Sequence, residues 1–164
     1  MGQALMSGKQ TVQMDQRGRI SFPAAYRAAL GNTLYITPDQ GERGYLIVRS
    51  QDGYEAEIAR ITADCNAKGY DFEDTLGEVT DFTSRTASAS ADKNGRVTLE
   101  RPLVEYAELT GKVTVVGAGE FALIWDEERY AKHEQERAEL RARRRAKKDR
   151  DKAAQLAALS AEEA

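Results

Sequence analysis

The most informative segment of the chain is Met14-Asp15-Gln16-Arg17-Gly18-Arg19-Ile20-Ser21-Phe22. It recurs as Ala91-Asp92-Lys93-Asn94-Gly95-Arg96-Val97-Thr98-Leu99. Both copies have Asp, Gly, Arg and an aliphatic residue at the same places. Apolar residues alternate with polar ones on both sides of each Asp-x-x-Gly turn, which predicts a β-hairpin with one buried face. The chain is therefore predicted to contain one structural unit twice.

The residues that follow each turn also match between the copies. Pro23 begins a predicted short helix that Gly31 ends, and Pro102 begins another that Gly111 ends. Two more strand-like runs follow each helix, at residues 34–37, 45–48, 113–116 and 121–125. Each unit is thus predicted to run strand, turn, strand, helix, strand, strand.

The alternating residues beside the turns define the faces that we expect to be buried. These residues are Val12, Met14, Ile20 and Phe22 in the first copy, and Ala89, Ala91, Val97 and Leu99 in the second. A lone two-stranded hairpin is only marginally stable in water, so neither copy can bury its face alone. We therefore expect the copies to interleave around a pseudo-twofold axis, with the small alanines facing bulky residues of the first copy.

Helices are predicted between the copies and after them. One apolar stripe at helical spacing is formed by Tyr54, Ile58, Ile61 and Cys65. A weaker helix is predicted through residues 72–79. From Asp126 onward the chain is rich in strong helix formers but has few large apolar residues. We expect a long solvated helix there, frayed or disordered past about Lys152.

The composition limits the class of protein. The chain has 164 residues, of which 41% are hydrophobic and 31% charged, as expected of a globular protein. No apolar run reaches the roughly 18 residues of a membrane span, and no signal peptide is visible. Cys65 is the only cysteine, which excludes an intrachain disulfide and a cysteine-rich zinc site. We expect a cytosolic protein with no membrane partner.

Candidate functional residues lie on the two turns. The net charge of −3 does not by itself indicate a nucleic-acid-binding protein, so any phosphate contact must come from local basic groups. The candidate DNA-binding residues are Arg17, Arg19, Lys93 and Arg96. A rigid turn can present such groups to phosphates or guanine edges with little loss of entropy. In the structural alternative, each Asp pairs with its own Arg and only shapes the turn. The structural turn residues are Asp15, Gly18, Asp92 and Gly95.

The motifs resemble those of the MraZ family, within the SpoVT/AbrB-like swapped-hairpin superfamily. The doubled motif is Asp-x-x-Gly-Arg-aliphatic, about 77 residues apart, and the second copy is followed by Glu-Tyr-Ala-x-Leu and by Val-x-Val-Val-Gly-x-Gly-x-Phe-x-x-x-Trp-Asp. The resemblance covers roughly residues 9–130. It implies an α+β, mainly β fold of two tandem swapped-hairpin repeats forming a pseudo-twofold barrel, with linker helices and a long C-terminal helix. The expected divisions are a first repeat at 7–53, a helical linker at 54–84, a second repeat at 85–128 and a charged helical or disordered tail at 129–164.

The resemblance also implies a function and a site. It implies ring-shaped homo-oligomers that bind double-stranded DNA sequence-specifically upstream of division and cell-wall genes. It places the motif arginines at Arg19 and Arg96, and the neighbouring basic positions at Arg17 and Lys93. Glu100 stands where the family usually has proline, and an acid near Arg96 would weaken phosphate contact. We therefore rank the second turn below the first.

Two other patterns point to chemistry that we do not expect. Gly117, Gly119 and Ala122 match the G-x-G-x-x-A dinucleotide fingerprint, but a strand-like run follows where that site needs a helix, so a hairpin turn is predicted. His133 is the only histidine and lies in the charged tail. We therefore expect no catalytic residues, no metal, no cofactor and no small-molecule substrate, and we do not expect an enzyme.

Two functions remain open from the sequence. The leading hypothesis is a cytoplasmic, nucleoid-associated DNA-binding transcriptional regulator. The second is an oligomeric scaffold or adaptor on the same barrel without DNA binding, which the acidic pI and Glu100 favour. The basic run at residues 141–152 also has two interpretations, as a solubilising helix or as an auxiliary phosphate contact.

Overall fold

The computed structural model of the chain describes residues 5–163. The chain divides into two units, one up to Glu127 and one from Glu128 onward. The first unit contains the strands and the four shorter helices. In chain order the elements are β1 (Lys9–Gln13), β2 (Arg19–Ser21), α1 (Ala24–Leu30), β3 (Leu34–Pro38), β4 (Leu46–Arg49), α2 (Gln51–Ala67), α3 (Phe72–Thr83), β5 (Ala87–Ala89), β6 (Arg96–Thr98), α4 (Arg101–Tyr106), β7 (Lys112–Gly117), β8 (Ala122–Asp126) and α5 (Glu127–Glu163).

Strand pairing joins the two sequence copies to each other. One antiparallel sheet has the order β1-β7-β8-β4-β3-β5, and a second consists of β2 and β6. Four of the six ladders formed by the described residues connect a strand of the first copy to a strand of the second. The fold is therefore a mixed α/β structure with antiparallel strands in which the copies interleave.

The predicted hairpins, β1 with β2 and β5 with β6, are both wrong, and β5 pairs with β3 instead. Within the described residues, β1 pairs with β7 and β2 pairs with β6, so the turn between β1 and β2 is a corner that connects two sheets. Pairing across copies places Ile20 directly opposite Val97, and both side chains are fully buried. Burial of two branched aliphatic side chains favours this arrangement over a local hairpin.

The larger sheet is not closed. Its edge strands β1 and β5 do not pair with each other in the part of the chain that the structure describes, so the predicted barrel is not confirmed. The expectation of a mainly β fold is also wrong for the whole chain, because α5 alone has 37 residues, more than the described strands together.

The predicted buried faces are confirmed. Ile20, Phe22, Val97 and Leu99 belong to the core, and the remaining alternating residues pack against it partly buried. Two alanines of β5 lie opposite bulky residues of β3, with Ala89 paired to Leu34 and Ala87 to Ile36. Small residues on one strand thus leave room for large residues on its neighbour.

A second, smaller cluster holds the two linker helices together. Ile61 and Cys65 of α2 pack on Phe82 of α3, and the rest of the predicted apolar stripe of α2 packs against this cluster. Both helices begin at a side-chain cap: Ser50 accepts a hydrogen bond from the Gly53 backbone at 3.0 Å, and Asp71 accepts one from the Asp74 backbone at 2.8 Å.

Two helix ends differ from the sequence-based expectation. Helix α4 ends at Tyr106 rather than near Gly111, since Glu108 has a positive φ of 50°. Helix α5 continues past Lys152 to Glu163. The last residues of α5 are rich in alanine and leucine, which have high helix propensity, and this accounts for the longer helix.

The long loop between β3 and β4 is held by one buried carboxylate. Asp39 accepts backbone hydrogen bonds from Arg43, Gly44 and Tyr45 at 2.8–3.1 Å, and the Tyr106 hydroxyl donates to it at 2.7 Å. Burial of the hydroxyl and its bond to Asp39 raise the pKa of Tyr106 to about 12. This bond attaches the first-copy loop to α4 of the second copy.

Candidate nucleic-acid interface

The first turn is organised around the carboxylate of Asp15. The Asp15 Oδ1 atom accepts the backbone N–H groups of Arg17 and Arg19, each at 2.9 Å. The Arg19 Nε atom donates to Asp15 Oδ2 at 2.7 Å. Backbone bonds from Gly18 to Asp15 and from Asp15 to Arg19 close the corner. The turn is thus specified locally, and it orients the Arg19 guanidinium.

The second turn repeats this geometry residue by residue. The Asp92 Oδ1 atom accepts the backbone N–H groups of Asn94 and Arg96 at 2.8 and 2.9 Å. The Arg96 Nε atom lies 3.3 Å from Asp92 Oδ2, which is longer than the equivalent distance in the first turn. Its side chain is 36% exposed, whereas that of Arg19 is 26% exposed. Arg96 is therefore held less tightly than Arg19.

The two glycines connect each turn to the opposite copy. Gly18 has a φ of 76° and Gly95 a φ of 79°, values that disfavour residues with a Cβ atom. The Gly18 carbonyl accepts the Leu99 N–H at 2.8 Å, and the Gly95 carbonyl accepts the Phe22 N–H at 3.1 Å. Because Phe22 and Leu99 are equivalent in the repeat, these two bonds are reciprocal between the copies.

The strands after the two turns form a two-stranded antiparallel ribbon, β2 with β6. Arg19 lies opposite Thr98, and Ser21 lies opposite Arg96, while the central pair between them is buried. Because side chains alternate along a strand, the two arginines and the two hydroxyl residues share the outer face of the ribbon. The ribbon therefore presents two guanidinium groups at diagonal corners of one face.

The remaining candidate residues lie at the turn tips. Arg17 and Lys93 are both exposed, and they lie two residues and one residue after their turn aspartates. Glu100 is exposed as well, and among the described residues it forms no ion pair with Arg96. Each tip thus carries one exposed cation beside the less exposed, hydrogen-bonded arginine of the strand.

Sequence reasoning missed three residues of this region. Ser21 and Thr98 complete the outer face of the ribbon, and the period-two alternation around Ile20 and Val97 was the signal that could have identified them. Arg27 of α1 donates to the Phe22 carbonyl at 3.1 Å and packs so closely on Gly95 that a Cβ atom there would lie 2.8 Å from its guanidinium. No sequence signal predicts that cross-copy contact.

The hydrogen bonds that Asp15 and Asp92 accept within their turns set the pKa values of these two carboxyl groups. The Arg19 backbone N–H, supported by the Arg19 side chain and the Arg17 N–H, lowers the pKa of Asp15 below its ordinary value of 3.8. The Arg96 backbone N–H, with the Asn94 N–H and the Arg96 charge, lowers the pKa of Asp92 in the same way. Both turns are therefore formed around ionised aspartates.

We expect stability to fall in acid because of these two carboxylates. A carboxylate whose pKa is lower in the folded state contributes stability above its unfolded pKa of about 3.8, and this contribution is lost as pH falls through the folded pKa. Thermal unfolding of the wild type and of an Asp15→Asn/Asp92→Asn double variant, followed from pH 7 to about 3, tests this. The variant should melt lower at pH 7 and lose less stability in acid. Parallel curves for the two proteins would contradict this account.

The dinucleotide-like glycines are part of a hairpin. Gly117 ends β7, and β8 returns antiparallel from Ala122, so a strand follows the glycines as predicted. A Cβ atom on Gly117 would clash with the backbone of Met6 and Ser7, so close packing explains why this residue is glycine.

Within residues 5–163, no group of three or more His, Cys, Asp or Glu side chains could hold a metal ion. Nor is any described helix long and apolar enough to cross a membrane.

Comparison with known proteins places the chain in a family. A family model described as "MraZ protein, putative antitoxin-like" matches residues 82–152. A protein of Arthrobacter sp. (strain FB24) named "Transcriptional regulator MraZ" is 33% identical over 119 residues, 73% of this chain and 80% of that protein. Proteins of the same name from Micrococcus luteus and Carboxydothermus hydrogenoformans are each 32% identical, over 74% and 76% of this chain and 80% and 82% of theirs.

These relatives are named as regulators and not as enzymes, which agrees with the expectation that the chain is not an enzyme. The similarity extends over most of this chain and over most of each relative. The doubled turn, the interleaved strands and these similarities lead to one conclusion: the chain belongs to the MraZ family.

Proposed function

We propose that the chain is a transcriptional regulator that binds double-stranded DNA sequence-specifically. The observation that carries this proposal is the β2·β6 ribbon, whose outer face holds Arg19 and Arg96 at diagonal corners. A two-stranded antiparallel ribbon fits the major groove of B-DNA, and arginine binds guanine O6 and N7 bidentately. The relatives named transcriptional regulators support the same role.

In this proposal, the arginines of the ribbon read bases, and the cations at the turn tips contact the DNA backbone. Arg19 and Arg96 contact base edges. Arg17 and Lys93, at the tips, contact phosphates and set the register of the protein on the duplex. The turn residues act structurally: the aspartates Asp15 and Asp92 orient the arginines, and the glycines Gly18 and Gly95 connect the copies. Each arginine donates to its aspartate through Nε, so its Nη atoms remain to contact a ligand.

We further propose the domain organisation that the resemblance implies. Residues 7–53 and 85–128 are two tandem swapped-hairpin repeats of the SpoVT/AbrB type, residues 54–84 are a helical linker, and residues 129–164 are a charged tail. The exchange of strands between copies supports this division. The target is the promoter of a division and cell-wall gene cluster that includes the chain's own gene, so the protein works in the cytoplasm, associated with the nucleoid.

An electrophoretic mobility shift assay over a series of salt concentrations tests the proposal. The probes are DNA from upstream of the chain's own gene and a scrambled duplex of equal length and composition. We expect the upstream DNA to bind more tightly by about 10³-fold or more, with an affinity that falls steeply as salt rises. Equal binding of both probes would remove sequence specificity, and binding of neither would refute the proposal.

We also propose a closed homo-oligomer larger than a dimer. The open sheet has two edge strands, and edge strands gain stability when a neighbouring chain covers them. Several ribbons in one assembly would also multiply weak contacts to repeated DNA sites. Light scattering at micromolar concentration should therefore give a mass above that of two 18.2 kDa chains. A monomer mass would contradict this expectation.

A scaffold or adaptor without DNA binding is the second candidate function. The acidic sequence pI of 5.4 and the exposed Glu100 near the second turn favour it. On that hypothesis the oligomer forms but neither DNA probe shifts at any salt concentration. The mobility shift and light-scattering results together therefore separate the two functions.

A further inference from the structure

The outer part of α5 is an exposed helix with an unusual distribution of charge. All residues from Glu134 to Glu163 are exposed. Residues 141–152 contain eight Lys or Arg residues and only two acids, Asp149 and Asp151. The sequence alone left open whether this run is a solubilising segment or a phosphate contact. Because the structure shows a continuous helix here, the angular position of each charge around the helix is defined.

The basic residues form a stripe along one side of this helix. At about 100° per residue, six of them fall within an arc of about 100°. The basic stripe consists of Arg137, Arg141, Arg144, Arg145, Lys148 and Lys152. The acids of the same segment, Glu139, Asp149 and Asp151, lie outside that arc. None of the six forms an ion pair with another residue of the described chain.

This distribution differs from that of a helix adapted only to water. A solubilising helix is stabilised when opposite charges alternate at i and i+4. Of the five charged i, i+4 pairs that involve the basic stripe, only Arg145–Asp149 has opposite charges. The other four, Arg137–Arg141, Arg141–Arg145, Arg144–Lys148 and Lys148–Lys152, place like charges four residues apart. Such pairs destabilise an isolated helix, and a bound polyanion would remove that repulsion.

The dimensions and surroundings of the stripe favour nucleic acid over a membrane surface. Fifteen residue steps from Arg137 to Lys152 span about 22 Å, comparable to about six base pairs of rise along a duplex. An amphipathic membrane helix would need an apolar face opposite its charges. The opposite side of this segment carries Glu139, Arg143 and Lys147 instead.

We propose that the basic stripe of α5 binds the phosphate backbone of duplex DNA without sequence preference, as a second site besides the ribbon. This inference rests on the proposed function only in taking DNA as the partner. The ribbon would choose the sequence, and the stripe would add phosphate contacts common to all sequences. Long, fully charged side chains suit this task because phosphate contact requires charge and reach rather than a shaped pocket.

Two triple variants of equal charge test the proposal. The stripe variant is Arg141→Gln/Arg144→Gln/Lys148→Gln, and the matched control is Arg143→Gln/Lys147→Gln/Arg150→Gln on the other side of the helix. Glutamine retains helix propensity, and circular dichroism checks that α5 stays folded. Fluorescence anisotropy with a scrambled duplex, at about 50–200 mM salt, measures the slope of log K against log salt.

We expect the stripe variant to lower that slope by about 2.7, since each lost phosphate contact lowers it by about 0.9. The control should lower it by less than half as much, and the preference for upstream DNA over the scrambled duplex should be unchanged in both variants. Equal effects of the two variants, or no effect of the stripe variant, would overturn the proposal. A stripe variant that loses binding to phosphatidylserine vesicles but binds DNA as the wild type does would overturn the proposal in favour of a membrane surface.

The same measurements separate this inference from the proposed function. If the wild type binds the scrambled duplex through the stripe but shows no preference for upstream DNA, the proposed function fails and the stripe site stands. If the preference is present but the stripe variant binds the scrambled duplex as the wild type does, the stripe site fails and the proposed function stands.

Discussion

Replacing Arg19 with alanine is expected to weaken binding to the target DNA by about 1–3 kcal/mol and to relax specificity at one base position. The reason is the fork geometry of the guanidinium, which the bond to Asp15 at 2.7 Å holds in one orientation. Fluorescence anisotropy with a set of duplexes that differ at single positions measures both effects. Arg19→Lys should also bind less well than the wild type, because lysine cannot pair bidentately with guanine.

Arg17→Ala is the matched comparison at the same turn. Arg17 is exposed at the tip, so its loss should weaken binding to all sequences alike and lower the salt slope by about one. The equivalent change at the second turn, Arg96→Ala, should have a smaller effect than Arg19→Ala. The bond from Arg96 to Asp92 is longer than that from Arg19 to Asp15, and the Arg96 side chain is more exposed. The guanidinium of Arg96 is therefore less preoriented for binding DNA than that of Arg19.

A purely structural role for Arg19 predicts a different result. In that account affinity is lost only because the protein is less stable. The backbone bonds from Arg17 and Arg19 to Asp15 do not involve the Arg19 side chain, so the turn should persist in Arg19→Ala. Melting temperature and DNA affinity must be measured on the same preparation. An Arg19→Ala protein that stays folded and binds the target DNA normally would remove Arg19 from the site.

The largest expected effect on stability comes from Ile20→Ala. Ile20 is fully buried at the centre of the β2·β6 ribbon, directly opposite Val97 of the other copy. Removing its branched side chain should lower the free energy of unfolding by about 2–5 kcal/mol, through lost burial and the cavity that remains. Urea denaturation followed by circular dichroism measures this change.

Leu5→Ala provides the control for this substitution. Leu5 is 71% exposed, so the same loss of aliphatic volume should change the free energy of unfolding by less than about 0.5 kcal/mol. A double-mutant cycle of Ile20→Ala with Val97→Ala tests the contact between the copies and should give a coupling energy of about 0.5–3 kcal/mol. Additive effects would show that the two copies are energetically independent at this pair, against the interleaved arrangement.

Local pattern was sufficient to predict the repeated unit and most of its elements. The Asp-x-x-Gly corners, the short helix after Pro23 and the apolar stripe of α2 all depend on residues within a few positions of one another. Turn conformation, helix capping and periodic burial are short-range effects, so the sequence alone determined which residues alternate towards the core. It also marked Arg17, Arg19, Lys93 and Arg96 as exposed or partly exposed cations near tight turns.

The choice of strand partners, by contrast, depends on the three-dimensional fold. Whether Ile20 packs against its own hairpin or against Val97 depends on contacts between residues far apart in the chain, and both pairings satisfy the same alternation. Contacts between residues far apart in the chain also produce the open sheet, the packing of Arg27 on Gly95 and the placement of two arginines on one ribbon face. The repeated units and their buried faces are readable from local pattern, because they follow from local conformational preferences. The exchange of strands between the copies is not, because burial between residues far apart in the chain selects among partners that have the same pattern.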